Sequence, residues 1–191
     1  MKRKLLIVSI VAICIAILAA GSLAYFTAEG TAHNVITTGG VKIALQEWAD
    51  KDKNIPYSTQ EAKGVMPGTT VTKIVDVKNT GASDAWVRVK VDKKIKLGQE
   101  IEIPGDNPQE ELVVLDINTL DWELDTDGFY RYKSVLKPGE TTTPILSSVE
   151  FKPAMDNVYQ NAQISVDISA QAVQTANNGP TVKDAQGWPK P

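Results

Sequence analysis

From residue 41 onward the chain alternates apolar and polar positions. Val41, Ile43 and Leu45 are separated by Lys42 and Ala44. Val71, Lys73, Val75 and Val77 fall on one face, with Thr70, Thr72, Ile74 and Asp76 on the other. Val87, Val89 and Val91 alternate with Trp86, Arg88 and Lys90. Ile164, Val166 and Ile168 alternate with Ser165, Asp167 and Ser169, and Ala170 and Ala172 continue the line. A period of two marks a strand with one buried face. Residues 112–117, 129–136 and 145–151 are three further, less regular candidates.

Turn chemistry separates these runs. Pro67-Gly68 precedes the second run, and Asn79-Thr80-Gly81-Ala82 joins it to the third. Residues 104–108, residues 125–128 and Lys137-Pro138-Gly139-Glu140 are further breaks, rich in the residues that preset φ or tolerate φ > 0. Short strands with such punctuation, and no long amphipathic helix, predict an all-β fold: one jelly-roll-like antiparallel β-sandwich domain over residues 41–176. Residues 50–63 are expected to be a loop or a short helix. Residues 177–191, with two asparagines and three prolines, are expected to form a loosely packed, loop-like tail. Met66-Pro67-Gly68-Thr69-Thr70 is echoed by Lys137-Pro138-Gly139-Glu140-Thr141. The echo fits the two halves of a Greek key, and it equally fits two common turns before strands.

The first residues break the alternation. Lys2, Arg3 and Lys4 precede an uncharged, mostly apolar run from Leu5 to Ala20, and Gly21, Ser22, Leu23 and Ala24 follow it. That order of basic head, apolar run and small residues is a secretory signal. Ser22 and Ala24 are small enough for a signal peptidase pocket, which places cleavage between Ala24 and Tyr25. Residues 1–24 are then the signal peptide, and residues 25–40 a mobile N-terminal segment. An uncleaved anchor is the competing reading, since the apolar run reaches through Phe26 to about 22 residues, enough for a bilayer core of roughly 30 Å. Either way the rest of the chain lies outside the cytoplasm, with the membrane met only through the signal in the cleaved case. Cys14 sits inside the apolar run after Ile13 and not at its end, so it does not read as a lipidation site. A chain cut after Ala24 holds no cysteine, and its domain must rely on its core.

Composition narrows the function. Loss of Lys2, Arg3 and Lys4 takes 20 basic against 23 acidic residues to 17 against 23. A mildly acidic surface argues against nucleic acid as a partner. The one histidine, His33, cannot assemble a zinc site or support a catalytic triad from a polar stretch near the N-terminus. No catalytic residue, metal site or cofactor is expected, and the chain does not read as an enzyme. Asp125-Thr126-Asp127-Gly128 resembles part of a calcium loop but lacks its spacing and closing glutamate, so solvated turn carboxylates are the plainer reading. The tryptophans at 48, 86, 122 and 188 read as core or sheet-face residues.

Just past the cleavage point stand Tyr25, Phe26, Asn34, Thr37 and Gly39, followed by the alternating run from Val41 to Leu45. An aromatic pair, then Asn-x-x-Thr-x-Gly, then a strand resembles the export segment of the TasA/camelysin family, exported proteins of Gram-positive bacteria processed by a SipW-type signal peptidase. Three later blocks are similar to the same family: residues 77–81 with 85–89, residues 129–140, and residues 170–174 with Trp188. The resemblance implies a jelly-roll subunit of an extracellular matrix or biofilm fibre. In such a fibre Tyr25, Phe26, Asn34, Val35 and Ile36 would be donated to the next copy of the chain. The partners would be further copies and, during export, the SipW-type peptidase. A monomeric cell-surface adhesin or binding module using the loops near residues 104–108 or 125–128 is the alternative. The metallopeptidase activity described for some camelysins has no ligand set here to carry it. No wall-sorting motif is expected to fix the chain covalently.

Overall fold

The computed structural model describes residues 27–29, 34–37, 40–57, 66–96, 102–103, 111–155, 159 and 162–189. Its regular structure is almost entirely strand. In chain order the strands are β1 (Thr27–Glu29), β2 (Asn34–Thr37), β3 (Ile43–Trp48), β4 (Thr70–Asn79), β5 (Ala85–Lys96), β6 (Glu102–Ile103), β7 (Val113–Ile117), β8 (Trp122–Leu124), β9 (Tyr130–Tyr132), β10 (Leu146–Phe151) and β11 (Gln163–Gln174). They form two sheets. The larger runs β1-β11-β5-β9-β8, with β2 also on β11 and β6 on β5; the smaller runs β3-β4-β10-β7.

Alternation explains how the sheets meet. Ile164, Val166, Ile168, Ala170 and Ala172 of β11 and Val87 and Val89 of β5 face inward. They share one core with Ile43 and Leu45 of β3, Val75 and Val77 of β4, and Leu146, Val149 and Phe151 of β10. The two layers therefore enclose one continuous apolar interior, the condition for a β-sandwich. Trp122 sits in it at 0 % exposure. Its ring lies 4.9 Å from that of Tyr132, and its indole N–H donates to the Thr143 carbonyl at 3.1 Å.

Pairing from β3 to β11 is antiparallel throughout the described strands. The expected antiparallel arrangement is modified at one edge, where β1 and β2 join β11 in parallel. A parallel neighbour needs no hairpin, so it can arrive from anywhere in the chain.

The echoed Pro-Gly turns acquire a structural meaning. Gly68 and Gly139 have φ of 81° and 80°, and Thr69 and Glu140 donate their N–H back to the Met66 and Lys137 carbonyls. Both are therefore type II turns, which require φ > 0 at the glycine. Each turn is tied to the far end of the other turn's strand. The Gly68 N–H donates to the Phe151 carbonyl at the end of β10, and the Gly139 N–H to the Asn79 carbonyl at the end of β4. The return bonds run from Phe151 to Thr69 and from Asn79 to Glu140. The β4–β10 pair thus has a local two-fold relation.

Residues 49–57, the described part of the stretch expected to be a loop or a short helix, take the loop form and double back on β3, with Ala49 donating to Ile55 and Tyr57 to Glu47; residues 58–65 and 104–110 lie outside the described ones. The tail after β11 has no strand, but it is packed. Val182 and Ala185 are buried against Trp86 and Val173 on the outer face of the larger sheet, with Val135 and Trp188 beside them. Those apolar residues give the tail a reason to dock that its prolines and asparagines conceal.

Candidate assembly edge

β11 is the longest strand together with β5, and the two pair over twelve positions, from Gln163 with Lys96 to Gln174 with Ala85. At roughly 3.3 Å per residue the opposite edge of β11 is about 40 Å of backbone donors and acceptors. A bare edge of that length invites another chain. Here it is taken by the N-terminal segment. β1 pairs Thr27, Ala28 and Glu29 with Gln163, Ile164 and Ser165. β2 pairs Asn34, Val35, Ile36 and Thr37 with Ser169, Ala170, Gln171 and Ala172.

Three of the residues singled out for assembly, Asn34, Val35 and Ile36, therefore lie on one strand of this edge. The other two, Tyr25 and Phe26, lie outside the described residues, as do Ser22 and Ala24 of the cleavage point and His33. Sequence reasoning did not identify β11 as the strand that receives the segment. Its twelve-residue alternation marked a strand, but nothing local marks one strand as another's partner.

The connection from β2 to β3 changes sheets. Sheet faces pack about 10 Å apart, and five residues, 38–42, separate Thr37 from Ile43. Residues reach at most about 3.6 Å each, so a link of this length can cover the gap.

Two charged clusters flank the sandwich. On the outer face of the larger sheet, Arg88 Nε and Nη2 donate to Gln171 Oε1 at 2.9 and 2.7 Å, and Nη1 donates to Asp127 Oδ2 at 2.9 Å. Arg131 Nε donates to Asp125 Oδ2 at 2.6 Å and Nη2 to Asp127 Oδ2 at 2.9 Å. The Arg88 guanidinium also lies 4.0 Å from the Phe129 ring and 4.5 Å from the Trp188 ring. The carboxylates expected to be solvated are thus committed to two largely buried arginines. A cation at this turn would have to displace them. Among the described residues no three His, Cys, Asp or Glu side chains form a group able to hold a metal.

The second cluster is inside the sandwich rim. Lys73 shares the inward face of β4 with Val75 and Val77, as its position in the alternation requires. Its ammonium donates to Glu47 Oε2 at 2.6 Å and lies 3.9 Å from the Tyr57 ring centre. Burial pushes this ammonium below its ordinary range, and Glu47 opposes the shift.

One pH effect follows from the outer cluster. The Thr126 N–H and then the Arg131 guanidinium hold the Asp125 carboxyl below the usual carboxylate range. A carboxyl depressed on folding adds stability above its unfolded value of about 3.9 and loses it as pH falls through the folded value. Urea midpoints are therefore expected to fall on acidification below about pH 4. Asp125→Asn should flatten that fall, and an equally steep fall in the variant would remove Asp125 as a contributor.

Compared with protein-family models, curated proteins and solved structures, the chain matches none.

Proposed function

We propose that the chain is an exported structural subunit of an extracellular fibre, of the TasA/camelysin kind, that polymerises by giving its N-terminal strands to a neighbouring copy. The observation that carries this reading is the occupation of the β11 edge by β1 and β2 through a short cross-sheet link. Whatever pairs on its own edge can pair on the same edge of a second copy, because the contacts are identical in the two cases. The choice is then set by concentration and by the conformations open to the link. Main-chain bonding supplies the affinity, as in other strand-addition complexes. A head-to-tail exchange that does not close on itself extends into a filament.

The order of strands supports the finer, jelly-roll-like reading. Along the chain β4, β7 and β10 of the smaller sheet alternate with β5, β9 and β11 of the larger. Removal of residues 1–24 would free Tyr25 and Phe26 to leave the membrane with the segment they precede.

The test compares residues 25–191 with residues 38–191 by negative-stain microscopy and size-exclusion chromatography. The longer protein is expected to form filaments. The shorter one should stay monomeric and folded, and should bind a synthetic peptide of residues 25–37. Filaments from the shorter protein would overturn the proposal. A monodisperse monomer from the longer one at all concentrations would replace it with the surface-binding alternative.

A further inference from the structure

The link that a strand exchange would have to bend is gripped from the body of the sandwich. The Thr80 N–H donates to the Lys42 carbonyl at 2.8 Å, and its hydroxyl reaches the same oxygen at 3.3 Å. Gly81 approaches so closely that a Cβ there would stand 2.7 Å from the Lys42 amide nitrogen and 3.4 Å from the Gly40 carbonyl oxygen. Its φ is outside the left-handed region that the turn glycines Gly68 and Gly139 occupy. Glycine is needed at 81 for space, because the backbone of the link runs where a side chain would be.

The gripping turn is itself fixed. Asn79 is fully buried, with its side-chain amide donating to the Ser83 and Leu136 carbonyls at 2.8 and 2.9 Å. Its Oδ1 accepts the Gly81 N–H at 2.9 Å. Its backbone is bonded to both Gly139 and Glu140. Asn79 is therefore held by the approach to β5 and by the second Pro-Gly turn, and among the described residues the link is the partner of this turn that leads toward β2.

We infer that the Asn79-Thr80-Gly81 turn is the anchor of the exchange hinge: it fixes residues 40–42 to the body, and so favours β2 on its own β11 over β2 on a second copy. This inference rests on the proposed strand exchange for its partner. The coupling between the turn and the β2–β11 pairing stands without it.

The experiment uses residues 25–191 with Gly81→Ala, and Gly128→Ala as a control. Gly128 has φ of 79° and nothing within 4 Å of an added Cβ, and its N–H donates to the Asp125 carbonyl, so that change strains a turn of the same sandwich without touching the link or the turn that grips it. Hydrogen exchange read by mass spectrometry is expected to rise about tenfold in peptides covering residues 27–37 for Gly81→Ala and to stay near wild type for Gly128→Ala. Filaments of Gly81→Ala should also begin at a several-fold lower protein concentration. Should Gly81→Ala fold poorly, Thr80→Val removes only the hydroxyl contact and should move the same peptides in the same direction by a smaller factor. Unchanged exchange in residues 27–37, or an equal rise in the Gly128→Ala control, overturns the inference. A selective rise in a protein that never forms filaments upholds the anchor and overturns the assembly reading instead.

Discussion

Replacing Lys73 by methionine is expected to destabilise the fold by about 3–5 kcal/mol, because it strands a buried carboxylate. The Lys73 side chain is 2 % exposed and that of Glu47 8 %. Among the described residues Glu47 Oε1 has no hydrogen-bond partner, and the Lys73 ammonium is the cation held on Oε2. Methionine fills nearly the volume of lysine, which removes cavity formation as the cause and leaves desolvation. A domain of this size has a total stability of about 5–15 kcal/mol, so the single change consumes a large part of it. The double variant Lys73→Met with Glu47→Leu removes both charges, and well-packed apolar replacements of buried pairs are often neutral or better. It should return to within about 1 kcal/mol of the parent. Urea denaturation at pH 7 reads both. A Lys73→Met cost below about 1 kcal/mol would mean that water reaches Glu47 and that the rim of the sandwich is open there.

The same residue shows where the sequence is legible and where it stops being so. Alternation put Lys73 on the face of Val75 and Val77, and the structure keeps it there. What alternation could not supply was its partner, since Glu47 lies on another strand and reaches Lys73 only through the β3–β4 register, which sets Glu47 opposite Val75. The strands read most clearly, β4, β5 and β11, are the long ones whose inward positions are nearly all apolar. β8 is three residues long and flanked by Asp121 and Asp125, so its one inward tryptophan gave no period to detect. β1 and β2 carry no alternation of their own and exist as strands through their pairing with β11. Pairing is a long-range property, and local pattern is nearly silent about it.

The Pro-Gly echo falls between these cases. The residue types dictate two type II turns wherever they occur, and that much is local. That each turn closes on the end of the other's strand depends on β4 and β10 being antiparallel neighbours. The candidate edge divides in the same way. Asn34, Val35 and Ile36 were picked out by a family resemblance and by their position, whereas the strand that receives them and the turn that grips their link are matters of topology.

Arg88→Ala is the second change with a large expected effect, about 2–4 kcal/mol, from the loss of charged hydrogen bonds of roughly 1.5–3 kcal/mol together with a desolvated cation–π contact. Arg88 is 8 % exposed, and its removal leaves the Gln171 carbonyl oxygen, on a residue 3 % exposed, without its guanidinium partner. Asp127 keeps Arg131 and the Phe129 N–H, so the damage concentrates on the Gln171 side and on Trp188, which loses the nearer of its two cations. Arg88→Lys should recover only part of the loss, since one ammonium cannot serve Gln171 and Asp127 in the plane that also stacks between Phe129 and Trp188. Because Trp188 holds the tail to the outer face, proteolysis within residues 175–189 should accelerate in Arg88→Ala before the sandwich unfolds. The tail lies on the face of β11 and β5, and β2 lies on the edge of β11, so the two attachments are mechanically separate. Hydrogen exchange in residues 27–37 is accordingly expected to stay at the parent rate in Arg88→Ala while the tail loosens. A joint rise would show that the docked tail stiffens β11 enough to hold its edge strands, and would place Arg88 among the residues that govern release of the N-terminal segment.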